Sequence, residues 1–115
     1  MAVLKNKIEN TVLFEKLFVA NTLWARGVGL LGRRSMPSDE AILITRCNSI
    51  HTFFMKFPID CVFLDKNMKV KSIRTNIGPG RIVFPVWGAS SVIELAAGVS
   101  NQRNIKVGDQ LDVGD

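Results

Sequence analysis

The 115 residues, 47 % hydrophobic and 22 % charged, describe one folded domain with a core of its own and exclude a disordered tail or a fibrous repeat. A formal charge of +5 permits weak attraction to anions without dictating it. No apolar run is long enough to span a bilayer, and Met1 to Asn10 hold no apolar signal core, so the expected location is cytoplasmic with reduced thiols.

Residues 1–10 form a polar N-terminal segment, expected to fray or to pair as a peripheral strand, ahead of one compact β-rich domain over 11–115. Thr11-Val12-Leu13-Phe14 and Leu17-Phe18-Val19-Ala20 read as two short strands. Asn21 or Thr22 caps a predicted helix that carries Leu23, Trp24, Gly27, Leu30 and Leu31 at spacings of three and four, with Gly32 as its stop. After a loop over 35–40, Ala41 to Thr45 is a predicted strand and Arg46 to Ser49 a loop.

His51 to Asp65 is the most apolar part of the chain. It reads as two strands joined at Phe57-Pro58, because Pro58 cannot donate to a ladder and holds Phe57 extended. Strand alternation then sets His51, Phe53 and Met55 on one face and Thr52, Phe54 and Lys56 on the other. Asp65 to Lys69 is a predicted hairpin turn with Asn67 left-handed, and Lys69 to Arg74 a return strand near a sheet edge. Gly78-Pro79-Gly80 is a loop, Arg81 to Val86 and Ser91 to Leu95 are two more strands, Ala96-Ala97-Gly98 opens a turn or short helix, and Val107 to Val113 ends as turn and strand. Short strands punctuated by Gly, Pro and Asn, with one early helix, predict an α+β but mainly β domain, a small barrel- or sandwich-like antiparallel sheet.

Charged groups inside apolar strands cost free energy unless partnered, which singles out Glu94 among Val92, Ile93 and Leu95, together with Lys56 and Asp60 around the Pro58 turn. Glu94 reads either as a structural carboxylate satisfied by Lys56, an arginine or backbone amides, or as a general base in a cleft. Lys56 and Asp60 either pin the turn by a local salt bridge or bind an anion, and Asp60 can also accept from amides after the proline. Arg33 is a further candidate ligand-binding residue, suited to meeting Glu94 or Asp60 or to gripping a carboxylate or phosphate. Both readings require Glu94, Lys56, Asp60 and Arg33 to converge in one polar cluster.

Metal and cofactor chemistry is weakly written. His51 is the only histidine, and Cys47 and Cys61 lie in no Cys-x-x-Cys motif. Cys47, His51, Met55 and Cys61 make a conceivable soft-metal set, but the expectation is no metal and no cofactor. A Cys47–His51 nucleophile pair lacks a third member. Lys66, Lys69, Lys71, Arg74 and Arg81 crowd one hairpin that holds no aromatic residue for bases to stack on, so nucleic acid is not the favoured partner; a small ligand or a protein is, with the chain a monomer or weak dimer.

Arg26-Gly27-Val28-Gly29-Leu30-Leu31-Gly32-Arg33, Phe54-Met55-Lys56 with Pro58-Ile59-Asp60 and Val62-Phe63-Leu64-Asp65, then Val92-Ile93-Glu94-Leu95 with Ala97-Gly98, and Ile105-Lys106-Val107-Gly108-Asp109 together resemble the family called domain of unknown function 192, over residues 20–113. Leu31 stands where the family usually has Met and Phe54 where it has Trp, and the export signal or lipid anchor that many members carry is not expected from residues 1–10. The resemblance implies a compact β-rich domain and no established reaction. Two functions follow as expectations: a non-enzymatic binding or accessory domain held by a buried polar cluster, or a small hydrolase using Glu94 as base with Lys56 and Arg33 on an anionic substrate.

Overall fold

The structure, a computed structural model, describes residues 2–20, 33–53 and 55–114. The predicted helix from Asn21 or Thr22 to Gly32 lies outside the described residues. Within them the strands are β1 (Ala2–Asn6), β2 (Thr11–Ala20), β3 (Glu40–Thr45), β4 (Ile50–His51), β5 (Ile59–Leu64), β6 (Val70–Ile77), β7 (Ile82–Val83), β8 (Ser91–Ala96) and β9 (Leu111–Gly114), with one short helix at Val99–Gln102.

Seven strands form one sheet in the order β6-β5-β8-β3-β2-β1-β9, while β4 and β7 pair separately. Among the described strands only β2 and β3 run parallel. The sheet curls until its two ends meet beside the β5–β6 hairpin. There Lys69 bridges to Gln110, the Val70 amide donates to the Asp109 carbonyl at 2.9 Å, and the Gly108 amide returns a bond to the Val70 carbonyl at 2.9 Å. The result is a mostly β half-barrel, as composition and turn spacing predict.

Why β5 is central follows from its side chains. All six residues Ile59–Leu64 are buried, because the sheet is covered on both faces. Strand alternation sends Val62, Leu64, Ile93, Leu95 and Leu43 into one core layer, closed by Val99 and Ile105. Ile59, Cys61, Phe63, Val92 and Ile42 enter a second layer, closed by Met36, Ile50, Met55 and Phe57. Each such side chain contributes about 1.5–3 kcal/mol on burial, so two layers stabilise a chain of this size without staples.

Several expectations change. Thr11 to Ala20 is one strand rather than two: Glu15 and Lys16, which look like a break, are its solvent-facing residues, while Phe14 and Leu17 on either side are buried. The N-terminal segment is no periphery, since β1 lies between β2 and β9 and Leu4 is fully enclosed. The strand from His51 stops at once, because the Thr52 carbonyl accepts from the amides of Met55 at 3.2 Å and Gly80 at 2.9 Å; the chain therefore bends at Thr52, before Phe57-Pro58. The predicted face of His51, Phe53 and Met55 loses Met55, which turns inward, while the rings of His51 and the exposed Phe53 stay stacked at 5.0 Å. In the Asp65 turn the left-handed residue is Met68, at φ 65°, rather than Asn67. The carboxylate Oδ1 of Asp65 accepts from the amides of Asn67 at 2.8 Å and Lys69 at 3.0 Å and sets that geometry. Arg81 to Val86 keeps only Ile82–Val83 as strand.

Candidate functional site

The four charged residues singled out from the sequence do not form one cluster. Asp60 and Glu94 sit on neighbouring strands, β5 and β8, in a register that pairs Asp60 with Leu95 and Cys61 with Glu94. Asp60 therefore shares a face with Val62 and Leu95, and Glu94 shares the opposite face with Cys61 and Val92. The sheet itself stands between the two carboxylates. Both are fully enclosed, at 0 % exposure.

Asp60 is satisfied by the fold. Its Oδ1 accepts from the Asn76 amide at 2.9 Å, and its Oδ2 from the Gly98 amide at 3.1 Å, the Ser100 amide at 3.1 Å and the Ser100 hydroxyl at 2.6 Å. Each end of that cage has a local cause. On β6 an extra residue opposite β5 and a left-handed Asn76, at φ 52°, make a bulge that turns the Asn76 amide inward. On the other side Gly98 opens the helix Val99–Gln102 without a capping side chain, and Asp60 supplies from β5 the acceptor that this first turn lacks. Asp60 thereby ties β5, the β6 bulge and the helix together, and Lys56 takes no part.

Lys56 lies between the inward-turned Met55 and Phe57 and is itself exposed. Arg33 pairs with Glu40 at the head of β3, 2.8 Å from Nη2 to Oε2. Of the soft-metal set, Cys61 is buried in the second layer, Cys47 donates from Sγ to the Ser49 carbonyl at 2.8 Å, and neither is in a disulfide. Among the described residues no three His, Cys, Asp or Glu side chains gather as a metal site.

What the fold does leave open is a groove of about 610 Å³ along β6, outside the sheet. Ile73, Arg74 and Ile77 form one wall, and Arg81, Ile82 and Phe84 the other. Thr52, fully buried, fixes the second wall. Its amide donates to the Arg81 carbonyl at 2.8 Å, its hydroxyl donates to the Gly78 carbonyl at 2.6 Å, and the Arg81 amide donates to that hydroxyl oxygen at 2.9 Å. Gly80, at φ 76°, gives the turn between the walls the left-handed residue it needs. Among the described residues no carboxylate pairs with Arg74 or Arg81. The groove is chemically a cation-lined cleft of mixed polar and apolar surface, suited to an anion with a flat or apolar body.

Sequence reasoning passed over Thr52, Asn76, Ser100 and Phe84. Thr52 and Ser100 carry no pattern of their own, since their partners lie 26 to 40 residues away. Phe84 had a signal, an aromatic residue beside Pro85 in a segment too rich in turn formers to be core.

Residues 4–113 match the family model DUF192, described as "Uncharacterized ACR", and the chain belongs to that family. A UPF0127 protein of Thermococcus sibiricus is 32 % identical across 93 % of this chain and 71 % of its own length. A second, from Pyrococcus abyssi, is 32 % identical across 97 % of both chains. A crystal structure of a protein of unknown function from Novosphingobium aromaticivorans superposes with a TM-score of 0.78 at 21 % identity, covering 96 % of this chain and 82 % of that one, which shows the shared fold.

Proposed function

We propose that this member of a family without an established reaction is a non-enzymatic binding module, and that the groove along β6 takes an anionic ligand or partner. The observation that carries this reading is the division of charge: the buried carboxylates are enclosed on opposite faces of the sheet, while Arg74 and Arg81 line an open groove. Glu94 and Asp60 then belong to the scaffold, and Lys56 and Arg33 to its surface. The hydrolase reading draws less support, because a general base must reach its substrate and Glu94 has no exposed surface. No described helix is long and apolar enough to cross a membrane. The reading takes the module to work in the cytoplasm, supported by Cys47 and Cys61 forming no disulfide, as in a reducing compartment.

Titration with a short inorganic polyphosphate tests the groove. Saturable binding is expected, and Arg74→Gln and Arg81→Gln are expected to weaken it without moving the melting curve. Binding indifferent to both changes removes the groove from the function. Turnover of an ester or amide substrate that Glu94→Gln abolishes in a fully folded protein would restore the hydrolase.

A further inference from the structure

Resting on that reading of the groove, we propose that its occupant is single-stranded nucleic acid, phosphates held by Arg74, Arg81 and Lys71 and bases stacked on Phe84 and Trp87. The hairpin taken alone has cations and no aromatic residue, but the fold brings the aromatics to it from the segment before β8. Phe84 lines the groove opposite Arg74 and is 77 % exposed. Trp87 is 96 % exposed on the turn Val86–Ala89, which the Ala89 amide closes onto the Val86 carbonyl at 3.1 Å with Gly88 at φ 82°. The Lys71 side chain lies against that turn, its Cε 3.4 Å from where a Cβ on Gly88 would stand. Phe53, 39 % exposed and stacked on His51 at 5.0 Å, follows Thr52, whose hydroxyl accepts from the Arg81 amide.

Charge points the same way. Residues 41–93 hold seven Lys and Arg against two acids, Asp60 and Asp65, and two of those cations, Arg74 and Arg81, line the groove. Of those two acids Asp60 is enclosed. A cationic groove interleaved with exposed aromatics is the arrangement that binds unpaired bases, because every base offers a face to stack while the backbone follows the cations. A duplex keeps its bases stacked inside and would leave Phe84 and Trp87 unused. An added peptide strand fits worse, since the free side of β6 carries Lys71 and Arg74 and is broken by the Asn76 bulge. A bilayer would meet the Trp87 tip but not the floor between Arg74 and Arg81.

Fluorescence anisotropy of labelled ten-residue thymidine and uridine oligonucleotides, at low and moderate salt, tests this against polyphosphate of matched charge and vesicles containing phosphatidylglycerol. Saturable oligonucleotide binding is expected, tighter than polyphosphate. Phe84→Ala and Trp87→Ala are each expected to weaken it by about fivefold to a hundredfold while sparing polyphosphate, and Arg74→Gln to weaken both ligands and flatten the salt dependence. Since the aromatic side chains are exposed, their variants are expected to melt like the parent. Equal binding of polyphosphate and oligonucleotide, indifference to both aromatic changes, or binding to vesicles alone overturns the proposal. Arginine-dependent polyphosphate binding in that event leaves the groove reading standing; failure of every anion to bind removes both.

Discussion

Replacing Asp60 with Asn keeps the shape of the side chain and removes its charge, which makes it the sharpest test of the scaffold. The carboxylate accepts four hydrogen bonds, three of them from backbone amides, at 2.6 to 3.1 Å. An asparagine has one acceptor oxygen. Placed toward Gly98 and Ser100 it retains three neutral bonds, each weaker than its charge-assisted parent by about 1 kcal/mol. Its amide group then faces the Asn76 amide, donor against donor, and one buried N–H left unsatisfied costs about 1–3 kcal/mol. Relief from burying a charge offsets part of the sum, so a net loss of about 3–5 kcal/mol is expected. For a domain whose total stability is of order 5–15 kcal/mol, that corresponds to a melting temperature lower by roughly 10–20 °C. Urea unfolding at neutral pH, with the slope compared between proteins, measures it. Ser100→Ala should cost only about 1 kcal/mol, since it removes one bond and leaves the amides paired. A loss below about 1 kcal/mol in Asp60→Asn would mean that water or rearrangement satisfies the amides, and the enclosed cage would be refuted.

Thr52→Val is nearly isosteric and orphans the Arg81 amide and the Gly78 carbonyl, so it should destabilise by about 2–3 kcal/mol in chemical unfolding and speed amide exchange at Gly80 and Arg81. Asn76→Val forces a β-branched residue to φ 52° and should cost about 1–2 kcal/mol, whereas Asn76→Gly should change melting little; equal effects would show that the bulge is not what fixes the position. Asp65 is held below its ordinary value of 3.8, first by the bond from the Lys69 amide and then, against opposing desolvation, by the Asn67 amide and the nearby Lys71 and Lys69 charges. A carboxyl lowered by folding stabilises above its unfolded value and loses that contribution as pH falls through the folded one. Melting curves of the parent and Asp65→Asn should therefore differ by a nearly constant amount above about pH 5 and draw together as pH falls below 3.8; a gap unchanged down to pH 2 would show that the ionised form is not what the turn prefers.

The sheet was legible where burial on both faces leaves an unbroken apolar run. Ile42, Leu43 and Ile44, Val62 to Leu64, and Val92 to Leu95 lie in strands close to the predicted bounds, and the seven-strand half-barrel follows from their number and from the turns between them. The candidate site was less legible because it depends on register. Asp60 and Glu94 look alike in sequence, each a carboxylate inside an apolar strand. Whether they meet or stand back to back is decided by one residue of offset between β5 and β8, and no local pattern carries that offset. The bend at Thr52 was hidden for a related reason: a threonine in an apolar run is a good strand former until partners at Gly78 and Arg81 claim its hydroxyl. The groove is illegible for the same reason: its walls are neighbours in sequence, but the second is held in place by Thr52, 26 to 29 residues away.

The cations of β6 have two explanations that the fold makes separable. An edge strand needs charge to prevent pairing with another sheet, and for that purpose the sign and exact place of the charge are immaterial. β6 ends the sheet, and Lys71 and Arg74 serve this role as they stand. Protection of the edge does not account for Arg81, which lies on the far wall of the groove in a turn already blocked from pairing by the Thr52 bonds. Nor does it account for Phe84 and Trp87, whose exposure makes the same region stickier rather than more soluble. A purely defensive surface would also tolerate acids, and from Lys66 to Ile93 the chain has none. One sign of charge on both walls, with aromatic faces beside it, is what a bound polyanion requires and what an edge guard alone does not.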